Sequence, residues 1–258
     1  MNYSKKPESK LDNIEQNNHE LHKFAFIIPT FNAEKTIAQC ILSVVSQSYP
    51  HWKLIILDDM STDKTVDIIK SLTRIFQIQD KVTIVENKTK FWEVKNILEG
   101  LKHCEDEDIV CRLDGDDWMA DLDALAIINT VYNEQKCDAL WTAHRWAFSP
   151  YNISKPMPED VENVYEHPWV SSHFKTFRKR LINNVDDKNF RGKDGEYFKR
   201  IGDQAIYLPV LHNAKKRFFL PIVAYHYSID IRAQTFQTED AKFQKSEAEF
   251  LRDRGYIE

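Results

Sequence analysis

Aspartate residues crowd one short stretch of the chain, residues 111–123, which contains five of them. Asp114, Asp116 and Asp117 follow shortly after an apolar run at residues 109–111. Hard divalent cations such as Mg²⁺ and Mn²⁺ prefer carboxylate oxygens, and carboxylates packed this closely repel one another unless a cation screens them. The stretch therefore predicts a metal site. A solvated turn stays open as the alternative, because Asp is also a favoured turn residue.

Apolar runs and amphipathic patterns alternate through the first half of the chain, and they must position these aspartates. Ligands of parallel α/β sheets bind beyond the carboxyl ends of the strands. The alternation predicts such a doubly wound α/β domain, with a parallel sheet covered by helices. Strand-like runs span residues 24–29, 53–58, 81–87 and 108–114, and helical spacing of apolar residues spans 33–47, 61–76 and 91–104.

A second acidic pair, Asp58 and Asp59, ends the second of these strands. Because the carboxyl ends of parallel strands meet at one edge of a sheet, we expect this pair to face the same crevice as Asp114 and Asp116. After the first strand the sequence is PTFNAEKT, which contains neither a GxGxxG nor a Walker-type loop. The sequence therefore disfavours a dinucleotide cofactor held on a helix N-terminus.

The second half of the chain has a less regular pattern, and the polar residues 1–22 predict a flexible N-terminal tail. A Pro-rich loop is expected from residue 149. The further elements expected are a helix ending near residue 135, an antiparallel strand at 138–148, a basic helix at 171–182, a Gly/Asp-rich loop at 190–197, a helix from about residue 202 and a strand at 217–227.

Composition and cysteine usage favour a soluble, cytoplasmic protein. None of the four cysteines forms a CxxC pair, which predicts reduced, buried thiols rather than a disulfide framework. The N-terminus lacks the apolar core of a signal peptide. We expect no membrane span, because no apolar run approaches the ~20 residues that a span requires.

Charge is unevenly distributed along the chain, whose formal net charge is −5. The segment at residues 171–220 holds 12 Lys and Arg residues against 5 Asp and Glu residues. Such asymmetry indicates an anionic partner for this segment, or only a solvated basic face.

Four motifs in order carry a resemblance to a known family: PTFN at 29–32, DDMSTD at 58–63, VKN at 94–96 and LDGDDW at 113–118. They resemble the motifs of family 2 glycosyltransferases with the GT-A fold, most strongly over residues 24–125. The later part looks similar to a branch found in bacteria and large DNA viruses. The resemblance implies a mostly parallel, Rossmann-like α/β sheet with flanking helices. It further implies a nucleotide-sugar-binding subdomain at 23–150 and a less regular, acceptor-side catalytic lobe at 151–258.

The resemblance implies a divalent cation, Mn²⁺ or Mg²⁺, held by Asp114 and Asp116 against the diphosphate of a nucleotide sugar. Asp117 either assists at this site or caps the following helix. His226, near the end of the last apolar strand, is either a third metal ligand or a histidine packed in the core.

The same resemblance implies donor-binding residues along the crevice. Asp58 and Asp59 would contact the base and ribose of the donor, which is expected to be a UDP-sugar. Phe31 is expected in the core. Lys175 and Arg178 would bind the donor phosphate or an anionic acceptor. The donor-binding candidates are Thr30, Asn32, Asp58, Asp59, Lys95, Asn96, Asp114 and Arg178.

Asp203 is the candidate general base, although the acidic pair that the family carries here is replaced by Gly202 and Asp203. It would take the proton from an acceptor hydroxyl as that oxygen attacks the anomeric carbon. Its alternative role is a helix N-cap. The resemblance implies a single displacement with inversion, which needs no enzyme nucleophile.

The acceptor has two candidate identities, a surface glycan or lipopolysaccharide intermediate and a hydroxymethylated pyrimidine in viral DNA. The basic segment with its interleaved aromatic residues would suit a DNA backbone and an extruded base. Two rivals from other classes are a nucleotidyltransferase and a non-catalytic nucleotide-sugar-binding protein. The first lacks the glycine-rich basic loop that it would need after the first strand.

Overall fold

A computed structural model of the chain describes residues 19–146, 152–228 and 239–258. Its strands are β1 (Phe24–Thr30), β2 (Trp52–Asp58), β3 (Val82–Glu86), β4 (Ile109–Arg112), β5 (Trp118–Met119), β6 (Ala139–Trp146), β7 (Lys175–Arg178) and β8 (Arg217–Tyr227). Its helices are α1 (Ile37–Val45), α2 (Thr65–Ile75), α3 (Trp92–Leu101), α4 (Ala124–Gln135), α5 (Gly202–Asn213) and α6 (Glu239–Arg254).

One eight-stranded sheet runs through the described residues in the order β3-β2-β1-β4-β7-β6-β8-β5. The first four strands of this order pair in parallel. β7 then pairs antiparallel with both β4 and β6, while β8 pairs parallel with β6 and antiparallel with β5. The predicted α/β sheet with flanking helices is confirmed, and the antiparallel insertion of β7 joins the regular half to the later strands.

The central strands are buried on both faces, as their near-continuous apolar sequences predict. Alternate residues of β1 serve opposite faces, because successive side chains of a strand point in opposite directions. Phe24 and Phe26 pack with Ile37 of α1 on one face. Ala25 and Ile27 pack on the other face. The sheet is therefore the wall between two apolar cores, and its carboxyl edge is left for polar side chains.

The predicted tail lies mostly outside the described residues, which begin at residue 19. Its last residues are fixed against α4. The backbone N–H groups of Glu20 and His22 donate to the side-chain oxygens of Asn133 and Asn129, at 2.9 and 3.1 Å. The chain is therefore anchored before β1 begins.

The basic helix predicted at residues 171–182 is wrong. Lys175–Arg178 forms β7, and a single 3₁₀ turn follows at Lys179–Ile182. Phe174 packs in one core and Phe177 in the other, which places the segment inside the sheet. Pairing with β4 and β6 therefore overrides the local charge pattern that suggested a helix.

The four cysteines are all free and buried, as the sequence predicts. None of the helices in the described part of the chain is long and apolar enough to cross a membrane.

Candidate active site

A cleft of about 990 Å³ opens at the carboxyl ends of the parallel strands. Its floor is formed by residues that follow β1, β2 and β4, and one wall is formed by α3, the start of α5 and α6. The structure thus brings together residues far apart in the sequence. The polar residues that line it include Thr30, Asp59, Glu93, Asn96, Arg112, Asp114, Asp116 and Asp203.

Arg112, the last residue of β4, is the centre of the charged groups in this cleft. Its guanidinium binds the carboxylates of Glu93, Asp114 and Asp203, and the distance from Nη2 to Oδ1 of Asp114 is 2.9 Å. Burial opposes its charge, but Asp114 and Glu93 outweigh burial and raise the pKa of Arg112. Arg112 is therefore a permanent buried cation that ties three carboxylates together.

Asp203 lies in the first turn of α5 and faces the cleft. Its Oδ1 atom accepts a hydrogen bond from Nζ of Lys175 at 2.6 Å, besides the contact with Arg112. Nε2 of His173 is 3.6 Å from Oδ2. The N-cap residue of α5 is Ile201, whose side chain offers no hydrogen-bond acceptor, so Asp203 is not the N-cap. Asp203 therefore has one permanently charged partner in the cleft, Arg112, and accepts a further hydrogen bond from Lys175.

His173 lines the cleft, and the antiparallel pairing of β7 with β4 places Lys175 opposite Arg112, within hydrogen-bond reach of Asp203. Burial, and then the charge of Arg112, lowers the pKa of Lys175 well below its usual value. Burial, and then Lys175, does the same to the pKa of His173. The His173 ring stacks on Tyr225 and Tyr227, with centroids 4.6 and 5.0 Å apart.

Asp116 and Asp117 have different surroundings despite their adjacency. Burial and the charge of Asp114 raise the pKa of Asp116 to about 6. Asp117 accepts hydrogen bonds from Oη of Tyr225 at 2.6 Å and from the Ser228 amide at 2.7 Å. Burial, and then Asp114, raises the pKa of Asp117 well above its usual value. Asp117 therefore binds the end of β8 rather than capping α4.

His226 does not join the aspartates. Tyr225 and Tyr227 both stack on His173, so strand alternation directs His226 to the opposite face. There its ring packs on Trp118, with centroids 4.2 Å apart. In the part of the chain that the structure describes, no group of three or more His, Cys, Asp or Glu residues is close enough to form a metal site.

Asp59 is the most firmly held of the predicted donor-binding residues. Its carboxylate accepts hydrogen bonds from the backbone amides of Phe91 and Trp92, at 2.7 and 3.0 Å, and from Asn87. Burial opposes its charge, but these hydrogen bonds, together with Asn96, lower the pKa of Asp59. It is therefore an ionised acceptor on the cleft floor.

Thr30, Asn96 and Phe31 also line the cleft. The Oγ1 atom of Thr30 is buried without a hydrogen-bond partner among the described residues, which leaves an acceptor for a ligand. The expectation that Phe31 lies in the core is wrong, because its side chain is 50% exposed. Nζ of Lys90 lies 3.0 Å from the centroid of the Phe31 ring.

Three other predicted donor-binding residues lie beside the cleft lining rather than in it. Asn32 lines a smaller adjoining cavity of about 420 Å³ and accepts a hydrogen bond from the Thr62 amide at 2.8 Å. Asp58 is buried, and its Oδ2 atom accepts from the Ser61 amide at 3.0 Å. Nζ of Lys95 lies 3.7 Å from the Phe91 ring centroid, directed along α3.

Arg178 lies at the opposite end of the sheet, and its predicted role at the donor phosphate is therefore wrong for this geometry. The antiparallel register places it opposite Ile109, the first residue of β4. Its guanidinium lies 5.3 Å from the Tyr132 ring centroid and 3.9 Å from the Glu107 carboxylate. Arg178 lies three positions after Lys175 along β7. Of the two, Lys175 is the residue whose ammonium group contacts Asp203.

The basic residues that follow β7 are also paired with acidic residues of the regular half. Nζ of Lys179 is 3.3 Å from Asp106, and a nitrogen of Arg180 is 2.8 Å from Asp138. Part of the positive charge at residues 171–220 thus compensates acidic residues elsewhere in the fold.

Sequence motifs alone do not reveal the importance of three residues at this cleft, Arg112, Glu93 and Lys175. A signal was present for Arg112, because a charged residue at the end of the otherwise apolar run IVCR is unusual in a buried strand. No comparable signal marks Glu93, whose position depends on the packing of α3 beside α5.

Comparison with known proteins agrees with this architecture. The family described as glycosyl transferase family 2 matches residues 25–198, and the chain belongs to this family. A stretch of 98 residues is 38% identical to EpsE of Bacillus subtilis, covering 37% of this chain and 33% of EpsE.

Solved structures show the same GT-A fold. The structure of Staphylococcus aureus TarS in complex with UDP-GlcNAc superposes with a TM-score of 0.65 and 19% identity, covering 92% of this chain and 68% of that one. The Pyrobaculum calidifontis mannosyltransferase PcManGT, in complex with GDP-Man and Mn²⁺, gives a TM-score of 0.55 and 16% identity, covering 82% of this chain and 58% of that one. The chain spans only 33%, 24% and 25% of the length of three curated relatives that it matches.

Proposed function

We propose that this chain transfers a sugar from a nucleotide-sugar donor, a UDP-sugar, to a hydroxyl group of a glycan acceptor, with inversion at the anomeric carbon. The observation that carries the proposal is the juxtaposition of Asp114, Asp116 and Asp203 in one cleft of a family 2 chain. Two carboxylates are available beside the leaving group, and a third is available as a base.

The donor would occupy the floor of the cleft. Asp59 is ionised and fixed by backbone amides, as an acceptor for ribose or base groups must be. The unpartnered hydroxyl of Thr30 offers a further polar contact. The complex of TarS with UDP-GlcNAc supports a UDP-sugar as the donor class.

The carboxylates that would bind a metal ion are chemically suited to a divalent cation, Mn²⁺ or Mg²⁺. Asp114 and Asp116 supply hard carboxylate oxygens. Burial, and then the charge of Asp114, raises the pKa of Asp116, and a bound cation would offset both effects. The PcManGT complex with Mn²⁺ supports this proposal. When bound, such a cation supplies Lewis-acid stabilisation of the departing nucleoside diphosphate.

Asp203 would act on the acceptor side. Its carboxylate takes the proton from the acceptor hydroxyl as that oxygen forms a bond to the anomeric carbon and the bond to the diphosphate oxygen breaks. Arg112 and Lys175 hold the carboxylate in place through hydrogen bonds. The exchange needs no enzyme nucleophile, and the nucleoside diphosphate leaves with the bonding electrons.

A glycan suits this cleft better than DNA as the acceptor. Of the basic side chains on which the DNA alternative depends, Lys175 is only 2% exposed and Arg178 only 12% exposed. Lys179 is paired with Asp106. TarS is named as a poly(ribitol-phosphate) β-N-acetylglucosaminyltransferase, which supports a polymeric acceptor other than a nucleic acid.

A donor screen tests the proposal. Purified chain is incubated with a panel of UDP- and GDP-sugars, with Mn²⁺, Mg²⁺ or EDTA, and release of nucleoside diphosphate is measured. We expect release from a UDP-sugar that EDTA abolishes. Mass analysis with glycan acceptors then identifies the product. Absence of metal-dependent release from every donor would contradict the proposal.

A further inference from the structure

Glu93 connects three elements of the cleft through the two oxygens of one carboxylate. One oxygen binds the guanidinium of Arg112, which also holds Asp203. The other accepts a hydrogen bond from the backbone N–H of Gly202 at 3.0 Å. Glu93 belongs to α3, Arg112 to β4 and Gly202 to α5. A single side chain therefore fixes both the cationic partner of Asp203 and the backbone beside it.

The contact with Gly202 also serves the N-terminus of α5. The first N–H groups of a helix lack intrahelical acceptors, and a carboxylate placed there is favourable. Ile201, at the N-cap, offers no side-chain acceptor. Glu93 therefore supplies from α3 the capping carboxylate that the local sequence lacks.

The side chain of Glu93 occupies the space in which a side chain at position 202 would begin. A Cβ atom added to Gly202 would fall on the carboxylate of Glu93. A glycine before Asp203 is therefore required by the position of Glu93, and not by the backbone conformation of the turn.

We propose that Glu93 is a positioning residue for Asp203, and that it takes the place of an acidic residue at position 202. The role in the reaction rests on the proposed function, in which Asp203 accepts the proton. Without the carboxylate of Glu93, Arg112 keeps Asp114 and Asp203 as partners and is free to shift between them. The first turn of α5 loses its acceptor at the same time.

Glu93→Gln is the first test, because the amide keeps the size of the side chain and removes its charge. We expect kcat to fall about tenfold to a hundredfold while the KM for the donor changes little, because misplacement of a reacting group by about 1 Å costs up to a hundredfold. Glu99→Gln is the matched control, since Glu99 lies on the same helix and forms an ion pair with Lys102. A Glu93→Gln variant with wild-type kcat would overturn the inference.

Substitutions at positions 93 and 202 test directly whether Glu93 takes the place of an acidic side chain at position 202. Gly202→Ala alone displaces the Glu93 carboxylate, so we expect it to lower kcat as Glu93→Gln does, and the two changes to be non-additive. Glu93→Gly combined with Gly202→Glu restores a carboxylate in this region, with the new Cβ atom in the space that the Glu93 carboxylate leaves, so we expect it to recover part of the activity that Glu93→Gly loses. Simple multiplication of the single effects would contradict this account.

Thermal unfolding gives a readout that needs no activity. We expect Gly202→Ala to lower the Tm in the wild-type background and not in the Glu93→Gly background, because the obstructing carboxylate is then absent. Equal losses in both backgrounds would overturn the inference. A wild-type chain that releases no nucleotide would contradict the proposed function alone, and this comparison would still decide the contact.

Discussion

At the scale of single residues, the charges of the cleft are balanced through Arg112. A buried cation is stable only when its partners are in place, and removing one partner of a buried ion pair typically costs about 3–5 kcal/mol. Arg112 has three such partners, so each carboxylate contributes to holding the other two. The geometry of the cleft is therefore cooperative, and its residues should not be expected to act independently in mutagenesis.

The buried residue His144 is expected to make the stability of the folded chain depend on pH. Burial, and then Lys175, lowers the pKa of His144 to about 4. Its Nε2 atom accepts a hydrogen bond from Nε1 of Trp146 at 2.7 Å, so the buried ring is neutral. Below its ordinary pKa of about 6.5, the unfolded chain binds a proton that the folded chain does not. Stability is therefore lost as the pH falls from about 6.5 towards 4.

We expect His144 to reduce the free energy of unfolding by on the order of 2 kcal/mol between pH 7 and pH 5. Urea unfolding at both pH values measures this change in the wild-type chain and in His144→Gln, which should lose that part of the pH dependence. His103→Gln, at an exposed histidine, is the control. The same pH dependence in the wild type and in His144→Gln would refute the assignment.

At the scale of elements, the turn after β4 is packed against the end of β1 with no room for a side chain at Gly115. A Cβ atom there would lie 2.6 Å from Oγ1 and 2.9 Å from Cβ of Thr30. The close approach places Asp114 and Asp116 beside Thr30 on the cleft floor. The glycine between the two aspartates is therefore a spacing requirement of the site.

Gly115→Ala should separate β1 from the aspartate turn. We expect a loss of about 1–3 kcal/mol in the free energy of unfolding, as for other overpacking substitutions. We also expect weaker binding of the donor with Mn²⁺, measured by calorimetry. Gly192→Ala is the control, because its nearest contact is 3.3 Å, to the side chain of Asp194. Unchanged stability in Gly115→Ala would contradict the packing described.

The direction of β7 decides which basic residue reaches the cleft, and the sequence did not contain that information. Lys175 and Arg178 have similar local surroundings in the sequence and were both candidates. The pairing of β7 with β4 is antiparallel, which places Lys175 at the carboxyl edge and Arg178 at the amino edge. By contrast, the strands β1 to β4 were predictable, because each is a short apolar run ended by polar residues.

At the scale of the whole molecule, the C-terminal helix α6 closes one side of the cleft. The carboxylate of Glu247 accepts hydrogen bonds from the backbone N–H groups of Lys199 and Arg200, at 3.1 and 2.9 Å. Leu251 of the same helix is fully buried. The loop that leads to Asp203 therefore depends on a helix about 40 residues further along the chain.

Glu247→Ala should loosen this loop without unfolding the protein. We expect faster hydrogen exchange at the amides of Lys199 and Arg200, and a loss of about 1 kcal/mol for each hydrogen bond removed. Glu249→Ala is the control, because Glu249 lies on the same helix and its side chain pairs with Lys245. Exchange rates that match the wild type would show that α6 does not hold the loop.

Features that depend on local sequence patterns could be predicted, and features that depend on contacts between distant elements could not. The positions of Asp114, Asp116 and Asp59 on the cleft were predictable, because these residues follow strands whose pattern is local. Glu93 and the placement of His226 depended on packing between distant elements, which periodicity does not encode. Asp203 is an intermediate case: its motif marked it, but its partners Arg112 and Lys175 became visible only in the folded chain.

The most direct test of the account is the rate of sugar transfer by Asp203→Asn, measured by product mass with the identified UDP-sugar and acceptor. Calorimetric titration with the same donor serves as the control for an intact donor site. We predict that donor binding is retained and that kcat falls by a factor of about 10²–10⁴, the usual contribution of a positioned general base. Undiminished transfer by Asp203→Asn would contradict the central claim.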